Sequence, residues 1–236
     1  MRAIILAAGV ARRLRDSAVD HPKCLLMLEG RTLLDRMLDA LTEVGVAKIT
    51  VVIGHLGEQI EAAVSGRAGV QTRYNPHYRK GAILSLWTAR EELDDAVLVM
   101  DADVLFPTAL LRRLVESPHA NCFLMDADAA DDGEAQMLMA RDGRVLDIAR
   151  GVAGDYHATG ESIGFLKLER PAAQALAALL ARALEGGDDG IEHEGVYPQL
   201  MRECVIGYEL ADGHRWLEID FPEDVERARA LLQSAG

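Results

Sequence analysis

Two carboxylates, Asp101 and Asp103, follow directly on the apolar run AVLVM (96–100). A group of cations, Arg12, Arg13, Arg15 and Lys23, follows the apolar run RAIILA (2–7). Hard oxygen ligands with open coordination positions suit Mg²⁺ carrying nucleotide phosphates. Guanidinium forks and an ammonium suit the phosphate oxygens themselves. Between the first apolar run and its cations lie Ala7, Ala8 and Gly9, whose small side chains let a ligand approach the backbone closely. The stretch is neither a P-loop, since no GK[ST] follows, nor a G-x-G-x-x-G fingerprint. Asp220 opens the run Asp220-Phe221-Pro222-Glu223-Asp224, where by itself it reads as the cap of a helix.

The elements that must position these residues alternate in the first half of the chain. Residues 2–7, 47–53, 69–74 and 96–100 read as strands, the first and last as fully buried ones. Between them, 31–45 places Leu34, Met37, Leu38, Leu41 and Val44 on one helical face and closes on Gly45. Residues 56–65 and the run ILSLWTAREEL (83–93) read as further helices. Such alternation predicts an α/β fold, a mainly parallel sheet covered by helices on both faces. In that architecture ligands bind beyond the carboxyl ends of the strands, where Ala7 to Gly9 and Asp101 to Asp103 both fall.

From about residue 119 the rhythm changes to antiparallel signals. QMLMARDGRVLDIAR carries Asp142-Gly143 as a hairpin turn, GESIGFLKL (160–168) reads as a strand with Gly-Glu-Ser at its start, and 171–187 as a helix. The expectation is one domain over 1–236, a nucleotide-binding part (1–118) followed by an antiparallel extension (119–236).

LAAGVARRL followed by His21-Pro22-Lys23 resembles the signature L-A-A-G-x-G-x-R-L…P-K of the nucleotidyltransferases that couple an NTP to a phosphorylated sugar or alcohol. One departure stands at position 11, where Ala11 replaces the second glycine. The resemblance implies a Rossmann-like, glycosyltransferase-A-like nucleotidyltransferase fold. It implies Arg13 and Lys23 as catalytic phosphate-binding cations, and Leu6, Ala7, Ala8, Gly9, Ala11 and Arg12 as the loop around the nucleotide. Asp103 takes the role of a Mg²⁺ ligand, with Asp101 nearer the nucleotide sugar. WLEIDFPEDVERA (216–228) resembles the ending of the cytidylyltransferases for phosphocholine and related small phosphorylated alcohols or phosphonates, which makes Asp220 the second Mg²⁺ ligand. Asn75 and the segment from Gly81 to Leu86, including Ser85, resemble the stretch that flanks the base, with Ala82 where many relatives carry Asn. Glu161 and Ser162 fall in the segment that lines the acceptor site.

The mechanism then needs no general base, because a phosphate monoester or phosphonate already carries its nucleophilic oxygen as an anion. Positioning and cations must bring two anions together. The acidic second half, with Glu161, Glu194 and Glu218 beside Tyr156, Tyr197 and Trp216, suits a cationic head on the acceptor. CTP as donor follows from the resemblance. A sugar-1-phosphate nucleotidyltransferase using another NTP and a non-catalytic nucleotide-binding regulator are the alternatives.

Composition narrows the class. The chain has 236 residues, half of them hydrophobic, and a formal charge of −13, which disfavours nucleic acid and anionic membranes as partners. The basic segment before residue 24, inside an acidic protein, points to a pocket for a small anion. No apolar stretch approaches the roughly 20 residues of a membrane span, and the N-terminal run lacks a basic n-region, so a cytoplasmic protein is expected. Cys24, Cys122 and Cys204 are odd in number and widely spaced, which predicts neither disulfides nor a zinc site. Oligomeric state leaves no trace in the sequence.

Overall fold

Continuous apolar runs of five or six residues fill the centre of the sheet, because a strand covered on both faces has no solvent side to leave polar. The computed structural model describes residues 1–10, 21–131 and 133–234. The strand β1 (Arg2–Ala7) is followed by a short 3₁₀ turn at Lys23–Leu25 and a small hairpin of β2 (Met27–Leu28) and β3 (Arg31–Thr32). Then come α1 (Leu33–Glu43), β4 (Ile49–Ile53), α2 (Gly57–Val64), β5 (Val70–Tyr74), α3 (Ile83–Thr88), β6 (Val97–Asp101) and β7 (Val104–Leu105). The second half runs α4 (Thr108–Glu116), β8 (Cys122–Asp126), β9 (Gln136–Arg141), β10 (Arg144–Arg150), β11 (Ala158–Leu168), α5 (Arg170–Glu185), α6 (Tyr197–Glu203), β12 (Gly207–Leu210), β13 (Leu217–Glu218) and α7 (Pro222–Ser234).

The main sheet has the order β10-β9-β11-β6-β1-β4-β5, with β8 and β12 branching from β11. The parallel part is β6, β1, β4 and β5. β11 pairs antiparallel with β6 and carries the rest of the antiparallel extension. The fold is the expected mixed α/β architecture. Two hydrophobic cores flank the sheet, one built around Ile5, Leu38, Met100 and Phe165, the other around Ile4, Val99, Phe123 and Leu176. Among the described residues no helix is long and apolar enough to cross a membrane.

Local chemistry sets the element ends. Thr32 Oγ1 accepts the Asp35 N–H at 2.9 Å and starts α1. Residues 31 and 32 therefore belong to a strand and a cap, not to the helix that the periodicity extends over 31–45. Asp142 and Gly143 both adopt positive φ and turn β9 into β10.

One further expectation is corrected. The run 83–93 is not one helix: α3 ends at Thr88 and a 3₁₀ turn spans Arg90–Asp94. The tighter turn accompanies a Glu92 that is buried, where it accepts from Arg2 Nη1 at 2.5 Å and Gln71 Nε2 at 3.0 Å. The strand expected over 160–168 is present as β11, which begins two residues earlier, and in it Glu161 pairs with both Asp126 and Met137.

Candidate active site

Parallel pairing brings the first two chemical stretches together. β1 and β6 are neighbours in register, Leu6 opposite Asp101, so the Ala7–Gly9 segment and the Asp101–Asp103 pair leave the sheet side by side. The third stretch arrives by a smaller device. β13 pairs antiparallel with β7, Glu218 opposite Val104, and the Ile219 N–H donates to the Asp103 carbonyl at 3.0 Å. Beneath this pairing sits a satellite core of Leu28, Leu33, Leu105, Ile219 and Ala228. It fastens the segment after Lys23, the strand after Asp103 and the residue before Asp220 to one apolar block.

The three polar groups meet above it. Lys23 Nζ donates to Asp103 Oδ2 at 2.8 Å and to Asp220 Oδ1 at 2.5 Å, the latter across 197 residues of sequence. Burial disfavours the ammonium, but the charges and hydrogen bonds of Asp103 and Asp220 outweigh it and hold its pKa above the ordinary lysine value. Asp220 is not the cap of α7. Asp224 Oδ2 takes that part, accepting the N–H groups of Asp220 at 3.0 Å and Phe221 at 2.9 Å. The Asp220 carboxylate is thereby left to the site.

Ligand atoms of Asp103, Glu218 and Asp220 all lie within 4.8 Å of one another. Asp103 Oδ1 is buried and has no hydrogen-bond partner among the described residues. Three hard carboxylate donors, one with an unused buried oxygen, fit a divalent cation of the Mg²⁺ kind. Glu218 faces the open cleft on one side. Burial of its carboxyl on the others, then the charges of Asp103 and Asp220, push it up to about 8.

A cleft of about 730 Å³ opens beside this cluster, and its lining includes Leu6, Ala8, Gly9, Gly81, Ser85, Asp101, Glu194 and Glu218. A smaller cavity of about 100 Å³ adjoins it between Ala7, Gly9, Lys23 and Asp103. Two glycines shape the cleft. Gly164, at φ +78°, sits where a Cβ would lie 2.6 Å from Asp101 Oδ2, within a register shift between β11 and β8. Gly81 lets the loop after β5 touch the loop before Glu192, since a Cβ there would lie 2.1 Å from the Ile191 carbonyl oxygen. Lys80 and Asp189 close the same seam with an ion pair.

Other anticipated residues lie elsewhere. Asn75 is buried beneath the cleft, donating to Ser85 Oγ at 3.0 Å and accepting the His77 N–H at 2.8 Å. It orients a cleft residue and does not line the cleft. Trp216 packs against the core and donates its indole N–H to Asp126 Oδ2 at 2.8 Å. Ser162 Oγ accepts the Gly164 N–H at 3.2 Å, so it supports the turn of backbone beside Asp101, and neither it nor Glu161 lines the cleft. Tyr197 is turned into the core against Phe123 and His193. Ala11, Arg12 and Arg13 lie outside the described residues.

His193 is the residue that sequence reasoning passes over. Its Nδ1 stands 3.0 Å from Glu194 Oε2 and its Nε2 3.9 Å from Asp101 Oδ1, with the ring 7% exposed in the cleft wall. Its one signal is its place between two glutamates, Glu192 and Glu194. Burial, then the charges of Glu194, Asp103 and Glu218, raises the Asp101 carboxyl well above its ordinary value.

A cation-bridged carboxylate cluster at the strand ends, opening onto a cleft beside a small-residue loop, is the geometry of nucleotide phosphate handling. The profile of the MobA-like NTP transferase domain matches residues 3–185. The chain belongs to that family. As a MobA-like NTP transferase it is a nucleotidyltransferase, and its relatives include cytidylyltransferases. It is 30% identical to a CMP-5'-(3-aminopropyl)phosphonate synthase of Streptomyces rubellomurinus over 97% of this chain, which spans 38% of that protein's length. It is 24% identical to the choline-phosphate cytidylyltransferase of Streptococcus pneumoniae over 99% of each chain. A 2-aminoethylphosphonate cytidylyltransferase of Lancefieldella rimae is 24% identical over 92% of this chain and 87% of its own. The solved structure of the CTP:phosphocholine cytidylyltransferase of Streptococcus pneumoniae shares the fold, with a TM-score of 0.83 over 98% of both chains at 24% identity.

Proposed function

We propose that this MobA-like NTP transferase joins CTP to a small phosphorylated or phosphonylated acceptor bearing a primary ammonium, releasing pyrophosphate. The observation that carries the reading is the Lys23–Asp103–Asp220 cluster at the strand ends, continuous with a cleft whose wall carries Asp101 and Glu194. CTP as donor rests on what the relatives are named for, and Mg²⁺ on the donor set of Asp103, Glu218 and Asp220.

In this reading an acceptor oxygen attacks the α-phosphorus of CTP. A new P–O–P bond forms, the bond to the β-phosphate breaks, and its electrons leave with pyrophosphate. No proton has to be removed, since the attacking oxygen is already anionic, so the chain's own work is positioning and charge. The Ala7–Gly9 segment gives the nucleotide access to the backbone, and Arg13 and Lys23 bind its phosphates. Asp103 and Asp220, with Glu218 beside them, would hold the metal, whose contribution when bound is to neutralise triphosphate charge.

The acceptor end favours an ammonium over a trimethylammonium head. Asp101 and Glu194 offer carboxylate oxygens to N–H donors. Two aromatics that a trimethylammonium could use are turned away, Trp216 onto Asp126 and Tyr197 into the core, and Tyr78, which lines the cleft, already carries the Arg79 guanidinium 5.2 Å from its ring centroid. The expectation that Trp216 and Tyr197 contact the acceptor is therefore replaced by one of carboxylate contacts. A pyrophosphate-release screen of four NTPs against 2-aminoethylphosphonate, phosphoethanolamine, phosphocholine and glucose 1-phosphate tests the proposal. Release with CTP and the two primary amines, well ahead of phosphocholine, is expected. Release with glucose 1-phosphate alone would sink the acceptor class.

A further inference from the structure

The Asp103–Asp220 pair already holds a cation. Lys23 Nζ donates to both carboxylates, 2.8 and 2.5 Å away, and its side chain is only 15% exposed. An ammonium bonded to one oxygen of each acid stands in the space a divalent ion would need to reach both. Taking it out without replacement removes the cation that bridges Asp103 and Asp220, whose ligand atoms lie within 4.8 Å of one another and of Glu218, and like charges at that range repel. Lysine is suited to leave, being a compact charge on a flexible four-carbon stem. It also lines the small cavity that opens on Ala7 and Gly9, on the side where the nucleotide loop begins.

We propose that Lys23 is a resident counter-ion that keeps free divalent metal out of the Asp103–Asp220 pair until a nucleoside triphosphate draws the ammonium onto its phosphates. Metal and nucleotide then enter as a coupled pair, each raising the affinity for the other by the same factor. The proposal rests on the reading of Asp103 and Asp220 as metal carboxylates. It adds that the nucleotide-free protein is self-neutralised and metal-poor.

The test is a Mn²⁺ titration of nucleotide-free protein, with free Mn²⁺ read by electron paramagnetic resonance. Three proteins are compared: wild type, Lys23→Met, and Lys23→Met with Asp220→Asn. Lys23→Met is expected to bind Mn²⁺ roughly tenfold or more tightly than wild type, and Asp220→Asn to abolish the gain. Unchanged or weaker binding by Lys23→Met overturns the proposal, as does tight Mn²⁺ binding by wild type alone. If Lys23→Met unfolds without metal, melting in saturating Mn²⁺ decides: recovery of the fold shows metal replacing the ammonium, and no recovery refutes it. Failure of wild type to transfer a nucleotide leaves the titration readable, since it reports metal occupancy. Transfer by wild type with no gain in Lys23→Met removes the counter-ion role and leaves the enzyme reading standing.

Discussion

The carboxylate of Asp224 accepts the backbone N–H of Asp220, four residues before it in the chain, at 3.0 Å. Two acids that look alike in the run DFPED thus have divided labour. Asp224, in the first turn of α7, reaches back to the N–H groups of Asp220 and Phe221 just before the helix, while Asp220 faces Lys23. The division separates stability from activity within one short segment.

Asp220→Asn is therefore expected to cut metal-dependent turnover by about 10²-fold or more, equivalent to roughly 3 kcal/mol of transition-state stabilisation. Its effect on melting should be small. Asp224→Ala should do the reverse, costing about 1 kcal/mol of stability through the lost cap. Steady-state rates and thermal melts of both variants check this, and a melting loss confined to Asp220→Asn would contradict it.

Ile219 is fully buried in the satellite core and its N–H holds Asp103 in place. Ile219→Ala should cost about 2–5 kcal/mol by loss of buried side chain and the cavity left behind. Because the same core seats Lys23, Asp103 and Asp220, turnover should fall even at temperatures where the variant is fully folded. Denaturant titration and rate measurement on one sample check both halves.

Gly164→Ala places a methyl 2.6 Å from Asp101 Oδ2 on a backbone at φ +78°. The strained conformation costs on the order of 1–3 kcal/mol, and the carboxylate must move from the cleft wall. Lower stability together with weaker acceptor binding is expected, measured by melting and by KM for the acceptor. A variant with lower stability and unchanged KM would show that Asp101 does not face the acceptor.

The pH dependence of stability carries the mark of Glu218. Its carboxyl titrates near 4.5 in the unfolded chain and is pushed up to about 8 in the folded, metal-free protein, by burial first and by Asp103 and Asp220 next. Between those values the folded state binds more protons than the unfolded one, so this group makes stability fall as pH rises from about 4.5 to about 8. Glu218→Gln should flatten that decline and leave the curve below pH 4.5 unchanged. Melting temperatures across the range in chelator-treated buffer check the sign, and parallel curves for the two proteins would contradict it.

Much of this was readable in the chain. The buried runs 2–7 and 96–100, with Gly9, Asp101 and Asp103 at their carboxyl ends, already imply a shared ligand edge, because parallel neighbours end together. What pattern could not supply was convergence over long distance. Nothing local to Asp220 tells that β13 will pair with β7, or that Asp224 will relieve it of capping. Side-chain direction was equally hidden: Trp216 and Tyr197 sit in acidic, plausible segments, yet each is turned away by a better partner, Asp126 in one case and the core in the other. His193 escaped because a single histidine between glutamates looks like surface until the fold buries it.

The most direct measurement is a phosphorus-31 NMR spectrum of the protein with CTP, Mg²⁺ and 2-aminoethylphosphonate. The account predicts loss of the three CTP resonances, appearance of pyrophosphate, and a mutually coupled phosphonate–phosphate pair from the new P–O–P bond. Formation of CDP or inorganic phosphate in their place, or an unchanged spectrum with every amine-bearing acceptor, would contradict cytidylyl transfer.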